Sequence, residues 1–371
     1  MNKNSRIMDI TQVFLTPEEV AEFAELVGYN DTARKFTIYD LLKYFVAASV
    51  GQWNSFREGE KIASDFNLET VDHSTFSKKA SAVPYELFKN LFHLLLEKCN
   101  RKTRRSLNIP KDILAVDSTT ITVGEGHLKW AKFHGKRSGV KLHVALDVKN
   151  NQPVQVEETI ALEHDGLVGE SLANPNYVLV EDRAYGKIER FDSFKKDGQS
   201  FVVRIKENIT LFRPRALRRL ETDDSYIIRD ITCKLGAKQN SSKNRFRIVI
   251  FNDDYGNEIR VCTDIMTVSA ETIADAYKER WKIETFFRFI KQNLNATKLF
   301  GTTENAVYNQ LYIALIAYVI LHFLYYNSVS KWKYVKLSQI DFIRELIRNN
   351  LPVEAKMQVN RLLKKVRLKA S

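Results

Sequence analysis

The residue pattern of this 371-residue chain changes near residue 112, from helical segments to short strand-like runs. Before that point helix signals recur. Thr16 is followed by a proline and two acids, which caps a helix and places carboxylates at its positive end. Residues 37–50, 56–63 and 74–82 are predicted as further helices. The pattern predicts a helical N-terminal domain over residues 1–108.

After residue 112, alternating apolar and polar residues at 140–148 and 154–160 predict strands. Further short apolar runs and an intervening helical stretch at 188–196 predict a mixed sheet with crossover helices within residues 109–330. Residues 208–268 have a basic start and three strand-like pieces, so we interpret them as a β-rich insert. Residues 269–294 are predicted as one helix.

Residues 311–326 form an apolar run that contains His322. The run is shorter than the ~20 residues that a bilayer requires, so a buried helix is predicted and no membrane contact. The three cysteines cannot form a disulfide framework and lack zinc-site spacing. The N-terminus lacks the apolar core of a signal peptide. These features together predict a cytoplasmic protein.

Positive charge is concentrated in the chain. Lys and Arg number 57 against 45 acids, a net charge of +12, and the predicted tail at 331–371 has eleven basic and three acidic residues. Residues 101–105 and 213–219 are further basic clusters, the second including Arg213 and Arg215. A polyanion-binding surface needs such clusters, because each phosphate contact releases condensed counterions. A solvated surface and an anionic-membrane patch are the alternatives.

The two short helices predicted at 56–63 and 74–82 are separated by a polar turn. The second carries Lys78 and Lys79 among hydroxyl side chains. A helix-turn-helix presents small polar and basic residues of this kind to DNA. A surface helix in an ordinary bundle has the same composition, so both interpretations stay open.

Two apolar runs end in aspartate: Asp117 closes ILAV, and Asp182 closes YVLVE. A carboxylate at the end of a buried strand is costly unless a cation receives it. Each aspartate alone is typical of a strand-end cap or turn. On neighbouring strands the two can converge, and a divalent cation is the natural reason for them to do so. Glu181 should point to the opposite strand face.

Tyr277, Arg280, Glu284 and Lys291 fall on one stripe of the helix predicted at 269–294. At 100° per residue they lie within an arc of about 60°, and apolar residues lie beside that arc. Such a helix would hold Glu284 at the rim of the sheet with cations on either side. The alternative is an exposed ladder of salt bridges.

These four residues form the pattern Y-x2-R-x3-E-x6-K, which resembles the signature of bacterial DDE transposases of the insertion-sequence-four family. The sequence DRAY at 182–185 resembles the family's motif around its second aspartate. LAVDST at 114–119 resembles the strand of the first aspartate, and VKLH at 140–143 resembles the following strand. NSFRE at 54–58 resembles the N-terminal region. The resemblance covers about residues 37–330.

The resemblance implies an α/β fold: a ribonuclease-H-like mixed sheet flanked by helices, with a helical N-terminal domain and a small β-rich insert at about 208–268. It implies that Asp117, Asp182 and Glu284 are the catalytic acids and bind two Mg²⁺ ions, with Mn²⁺ as a substitute. The reaction would be hydrolysis and strand transfer at transposon ends, in a cut-and-paste mechanism.

The resemblance also implies DNA partners: the terminal inverted repeats and the target DNA, bound by a homodimer. Tyr277, Arg280 and Lys291 would hold the phosphates of the transposon ends. The basic clusters predict additional DNA contacts, at Lys78, Lys79, Arg213, Arg215, Lys364 and Lys365. The protein would be associated with the nucleoid. An inactive transposase-derived DNA-binding protein and a ribonuclease-H-like nuclease are the alternatives.

The tryptophans depart from one pattern in this family. Some relatives cleave through a DNA hairpin and use a tryptophan of the insert to stack on a flipped base. The tryptophans here lie outside residues 208–268, at Trp53, Trp130, Trp281 and Trp332. Phe212, Tyr226 and Phe246 are the candidates for stacking in their place, since any aromatic face can stack on a base.

Overall fold

The computed structural model describes residues 6–99, 109–135, 137–217, 226–237, 239, 241–330 and 336–370. The chain divides into two compact units. The first comprises Met1–Asn100, Ile121–Val140 and Phe287–Ser371, and the second comprises Arg101–Thr120 and Lys141–Phe286. This division differs from the predicted boundaries at 108 and 330, because the apolar helix and the tail pack with the N-terminal helices.

The described residues form the following elements in chain order. Six helices precede the sheet: α1 (Arg6–Phe14), α2 (Pro17–Leu26), α3 (Ile38–Gly51), α4 (Phe56–Ile62), α5 (His73–Ala82) and α6 (Glu86–Cys99), with a 3₁₀ turn at Ala63–Phe66. The strands and their intervening helices are β1 (Asp112–Gly124), β2 (Arg137–Asp147), β3 (Gln152–Ile160), α7 (Asp165–Ser171), β4 (Tyr177–Glu181), α8 (Ile188–Lys196), β5 (Ser200–Arg204), β6 (Leu211–Ala216), β7 (Ile227–Leu235), β8 (Phe246–Asn252) and β9 (Glu258–Thr263). The remaining helices are α9 (Ala270–Lys278), α10 (Trp281–Asn293), α11 (Glu304–Ser328), α12 (Gln339–Ile347) and α13 (Val353–Ala370).

The predicted N-terminal helices are confirmed, and their starts follow from capping. The Thr16 hydroxyl accepts from the Glu19 amide, and the Glu19 carboxylate accepts from the Thr16 amide. Thr37 and Asp40 form the same reciprocal pair at the start of α3. Each pair satisfies two amide groups that a helix start leaves without partners.

Helix α11 is long and apolar enough to cross a membrane, but 94% of its most apolar window is buried inside the protein. It packs against α3, α5 and α6 within the first unit. The Asn309 amide group donates to the carbonyl oxygens of Ala80 and Val83, which ties α11 to the end of α5. The prediction of a buried helix is confirmed.

The basic C-terminal segment is helical, as predicted, and it has two different sides. Helices α12 and α13 pack against α1 and α11, and Phe342, Leu346 and Val359 are buried there. The opposite side of α13 is exposed and carries both basic residues and the apolar side chains of Val353, Met357 and Leu368. The apolar side therefore anchors the segment in the helical unit.

The second unit is built around a nine-stranded sheet, within the described residues, in the order β3-β2-β1-β4-β5-β9-β8-β7-β6. Strands β1, β4 and β5 are parallel neighbours, and β5 pairs antiparallel with β9. The strands of the predicted insert thus extend the main sheet and do not form a separate sheet. The strands predicted in the insert did not include β6. This strand contains Pro214, and its pairing with β7 shifts register between Phe212 and Arg215. An edge strand tolerates both features.

The two faces of the sheet are distinct near the end of the β1–β4 pairing. Leu114 and Val116 join a core cluster with Phe191 and Phe194 of α8 on one face. Because side chains alternate along a strand, Asp117 points to the other face.

The prediction of one helix over 269–294 is wrong, because the chain turns between α9 and α10. The Arg280 amide donates to the carbonyl of Tyr277, and the Ile283 amide donates to that of Arg280. In both hydrogen bonds the acceptor lies three residues before the donor, so the backbone is wound more tightly here than in an α-helix. The angles predicted for one continuous helix therefore do not relate residues before position 279 to residues after position 280.

Candidate active site

Asp117 and Asp182 occupy matching positions on adjacent parallel strands. The pairing of β1 with β4 runs from Asp112↔Tyr177 to Val116↔Glu181, so each aspartate follows the last paired residue. Asp182 comes directly after β4, as predicted. Asp117 does not end its strand, because β1 continues to Gly124. The pairing of β1 with β4, however, ends just before Asp117.

The turn between α9 and α10 brings Tyr277, Arg280 and Glu284 to these aspartates. The Tyr277 hydroxyl donates to Asp182 Oδ1 at 3.4 Å. Arg280 Nη1 lies 3.4 Å from Asp117 Oδ2, and Arg280 Nη2 lies 2.7 Å from Glu284 Oε1. One guanidinium therefore contacts two of the three predicted acids.

This arrangement decides between the two interpretations of the helical stripe. Arg280 and Glu284 do form a pair four residues apart, as a salt-bridge ladder would. The Arg280 side chain is only 13% exposed, however, and it also contacts Asp117 on a strand. The stripe is thus part of a partly buried cluster and not a solvated ladder.

Burial and like charge act together on Asp117. Burial raises the pKa of Asp117 to about 6, Asp182 and Glu284 add to the rise, and the Ser118 amide and Arg280 oppose it. Burial also raises the pKa of the Tyr277 phenol. Arg280 contacts two of the three carboxylates, and like charge from Asp182 and Glu284 acts on Asp117, so a further cation would be favoured there.

The donor set is all carboxylate oxygen, which hard divalent cations prefer. In the part of the chain that the structure describes, the ligand atoms of these three acids do not all lie within 4.8 Å of one another. The group that meets that spacing is Glu60, Asp72 and His73. These residues have local roles at the start of α5. Glu60 accepts from the amide and Nδ1 of His73, and Asp72 accepts from the Ser74 amide.

Comparisons with known proteins bear on this cluster. Residues 108–320 match the family described as Transposase DDE domain. A relative from Geobacillus stearothermophilus, named as a probable transposase for insertion sequence element IS5377, is 49% identical over 356 residues, which cover 96% of this chain and 94% of that protein. The chain belongs to the DDE transposase family. It is therefore a DNA-cleaving and strand-transferring enzyme.

Two further similarities are weaker. A putative transposase for insertion sequence element IS4SA from Synechocystis sp. is 29% identical over 303 residues, covering 75% of this transposase and 82% of that protein. A cryo-EM structure of the piggyBac transposase synaptic complex with hairpin DNA has a TM-score of 0.49 at 13% identity, over 98% of this chain and 84% of that chain. The family assignment does not rest on that structure.

The fourth residue of the signature, Lys291, lies in the last turn of α10, about two turns beyond Glu284. Its side chain is half-buried, and burial lowers its pKa. Its predicted contact with DNA stays a prediction.

The predicted DNA contacts of the N-terminal helices separate into two kinds. Lys78 is exposed on α5. Lys79 is 10% exposed, forms an ion pair with Asp31 and lies 5.6 Å from the centre of the Tyr29 ring. The charge of Lys79 is paired within the protein, and its predicted contact with DNA stays a prediction.

Other predicted basic contacts are exposed. Arg213 and Arg215 lie on the edge strand β6, and Lys364 and Lys365 lie on the outer side of α13. Lys356 and Arg367 are also exposed on α13. Residues 101–105, Arg218 and Arg219 lie outside the described residues.

The structure changes which aromatic residues are candidates for stacking on a base. Phe246 is completely buried in the core and cannot reach a base. Tyr226 donates its hydroxyl to Asp275 at 3.0 Å, and the Lys278 ammonium lies 4.5 Å from the centre of its ring. Trp281 is 58% exposed, and it directly follows Arg280. The stacking candidates predicted from the sequence were confined to the insert and did not include this exposed tryptophan beside Arg280.

Glu181 points away from the acidic cluster, as predicted. It is completely buried and accepts from Arg190 through both oxygens, each at 2.9 Å. The sequence analysis missed a second polar group on that face, formed by Ser118, Asp165 and Lys141. The three residues lie far apart in the chain and match no spacing motif.

Proposed function

We propose that Asp117, Asp182 and Glu284 are the catalytic acids of this transposase and that it moves an insertion sequence by cut-and-paste transposition. The observation that carries the proposal is the contact of Arg280 with both Asp117 and Glu284. It joins the third acid, from a helix, to the edge where β1 and β4 stop pairing. We further propose that the sheet around β1, β4 and β5 is a ribonuclease-H-like core.

The three carboxylates would hold two divalent cations, Mg²⁺ or Mn²⁺. Their all-oxygen donors and the excess negative charge around Asp117 fit such ions. When bound, the cations activate water or a 3′-hydroxyl and stabilise the leaving oxygen of the scissile phosphate. The chain itself contributes the orientation of the acids: Tyr277 donates to Asp182, and Arg280 contacts Asp117 and Glu284.

Arg280 and Lys291 would position the phosphates of the transposon end. The planar guanidinium of Arg280 can bind a phosphate through two nitrogen atoms, and Lys291 supplies a point charge. Trp281, exposed beside Arg280, would stack on a base near the cleavage site. The use of a hairpin intermediate would require such stacking.

The partners would be the terminal inverted repeats and the target DNA. Lys356, Lys364 and Arg367 fall within an arc of about 80° on α13, beside the exposed apolar side chains of Met357 and Leu368. Such a basic face suits the DNA backbone, together with Lys78, Arg213, Arg215 and Lys365. Because two transposon ends must be processed together, the active complex would be a homodimer. The protein would act in the cytoplasm, at the nucleoid.

The test is a reaction on DNA carrying the inverted repeats that flank the gene, with supercoiled target DNA. Cleavage at the repeat ends and joined products are expected with Mg²⁺ or Mn²⁺. Ca²⁺ should support end binding but little cleavage, since its geometry is looser. Binding without cleavage would favour an inactive DNA-binding protein, and cleavage without joined products would favour a nuclease. Efficient cleavage in EDTA would exclude the metal-dependent mechanism.

The basic face of α13 has its own test. Changing Lys356, Lys364 and Arg367 to Ala should lower the magnitude of the slope of log K against log salt by up to about 3. Cleavage of saturating DNA should continue. An unchanged salt slope would mean that α13 does not contact DNA.

A further inference from the structure

We propose that Asp165 is a positioning residue, which fixes the orientation of the Asp117 carboxylate through Ser118. The inference rests on the proposed catalytic role of Asp117. It assigns a function in the reaction to a polar cluster on the face of the sheet opposite to the acidic cluster.

The cluster converges on one oxygen atom. Asp165 is the first residue of α7, and its Oδ1 accepts from Ser118 Oγ at 2.8 Å and from Lys141 Nζ at 3.0 Å. Lys141 also donates to the Glu163 carbonyl at 2.7 Å. His143 Nδ1 lies 3.7 Å from the same Asp165 oxygen. Two strands and one helix are thus tied together directly behind Asp117.

Ser118 connects this cluster to the catalytic face. Its side chain points toward Asp165, because neighbouring residues of a strand face opposite sides. Its backbone amide donates to Asp117 Oδ1 at 2.8 Å. The other oxygen, Oδ2, is the one that faces Arg280. The amide therefore decides which Asp117 oxygen is turned toward the helix that carries Glu284.

The cluster combines buried side chains with Asp165, whose side chain is 28% exposed, and its members are joined by directional hydrogen bonds. Lys141 is 8% exposed and His143 is completely buried. Burial lowers the pKa of His143 to about 4, so the positive charge beside Asp165 at neutral pH is that of Lys141. A buried ion pair is a weak source of stability compared with apolar packing. Its directional bonds do fix a geometry, and residues that orient metal ligands commonly act in this way.

The experiment compares Ser118→Ala, Ser118→Thr and Asp165→Asn in the full-length protein. The control is Asp112→Asn, which removes a carboxylate 3.5 Å from Lys149 at the other end of β1. The measurements are Mn²⁺ affinity by electron paramagnetic resonance, binding of end DNA without divalent cations, cleavage, and thermal unfolding.

We expect Ser118→Ala and Asp165→Asn to weaken Mn²⁺ binding about 10-fold to 100-fold, with end binding changed less than about twofold. The double variant should be no weaker than the worse single variant, because both break one chain of contacts. Ser118→Thr keeps the hydroxyl and should restore Mn²⁺ affinity. Asp112→Asn should bind Mn²⁺ like the wild type.

Wild-type Mn²⁺ affinity in Ser118→Ala would overturn the inference, and so would equal losses in Asp165→Asn and Asp112→Asn. If Asp165→Asn does not fold, the pair Ser118→Ala and Ser118→Thr decides alone. Asp117→Asn distinguishes the two proposals. If it cleaves normally, the proposed catalytic role of Asp117 fails. If it is inactive while Ser118→Ala is normal, only the positioning role fails.

Discussion

Glu181 and Asp182 are neighbours in the chain, but their carboxylates lie in opposite environments on the two faces of one sheet. Glu181 is completely buried and bound through both oxygens to Arg190. Asp182 belongs to a partly exposed group in which Arg280 contacts Asp117 and Glu284 and Tyr277 contacts Asp182, with contacts as long as 3.4 Å. The first arrangement is closed and balanced in charge, and the second is open and negative.

This difference leads us to expect a structural role for the Glu181–Arg190 pair and a chemical role for the open group. A closed, balanced pair is buried and out of reach of a ligand, so we expect it to contribute to the fold. An open group with excess negative charge costs stability and persists where a cation completes it. The comparison predicts that changes on one face affect chemistry and that changes on the other face affect folding.

The largest effect is expected from the acids of the open group. Asp117→Asn, Asp182→Asn and Glu284→Gln each remove one charge and preserve shape, and each should reduce cleavage by at least about 1,000-fold. A double change should be no worse than a single one, because the three acids act as a unit. End binding should survive or tighten in gel shifts. Normal cleavage by any one variant would remove that residue from the catalytic set.

The closed pair should respond in the opposite way. Glu181→Gln leaves Arg190 buried without its counter-ion and should lower the free energy of unfolding by about 3–5 kcal/mol, measured in urea. The metal requirement of the folded fraction should not change. The matched control replaces both Glu181 and Arg190 with Met, which should recover much of the loss. A Glu181→Gln protein that is stable but inactive would place Glu181 in the active site.

Arg280 belongs to the open group and should have an intermediate effect. Arg280→Ala removes charge-assisted contacts worth about 1.5–3 kcal/mol, which predicts cleavage slowed about 10-fold to 100-fold. End binding should also weaken. Arg34, exposed between α2 and α3, is the control, and Arg34→Ala should cleave like the wild type. Complete loss in Arg280→Ala would mean that Arg280 is as essential as the acids.

The open group should also make folding depend on pH when divalent cations are absent. The Asp117 pKa is raised from 3.8 to about 6, so the folded state holds this proton more tightly than the unfolded state. Stability from this residue is full below about pH 4 and is lost as the pH rises through about 6, by on the order of 2 kcal/mol. Asp117→Asn should remove that loss. Identical pH profiles in EDTA for the two proteins would contradict the assignment.

The smallest effects concern Lys78 and Lys79 of α5. The charge of Lys78 is exposed and that of Lys79 is paired, so one helix shows a similar contrast. Lys78→Ala should weaken end binding a few-fold and lower the salt slope by about 0.9. Lys79→Ala breaks its pair with Asp31 and should lower stability by about 1–3 kcal/mol, with little change in the salt slope. Equal effects on the salt slope would mean that the Asp31 pair opens when DNA binds.

The sequence by itself determined the local features of this protein. Capping residues located α2 and α3, apolar runs located β1, β4 and β5, and the Y-R-E-K pattern selected the residues that the structure brings to Asp117 and Asp182. These signals are short-range, because capping, periodicity and helix spacing depend on residues a few positions apart. The family assignment followed from the same local motifs.

Only the tertiary structure decided which distant groups meet. The pairing of β9 with β5 merges the predicted insert with the main sheet, and a strand's partner is not written in its own sequence. Lys79 finds Asp31, and Ser118 finds Asp165, across more than forty residues in each case. The turn at residues 279–280 replaces a continuous helix because contacts to the sheet outweigh local helix propensity. Charge pairing and strand pairing depend on the folded path of the chain. That path decided which of the basic residues predicted to contact DNA are exposed and which are paired within the protein.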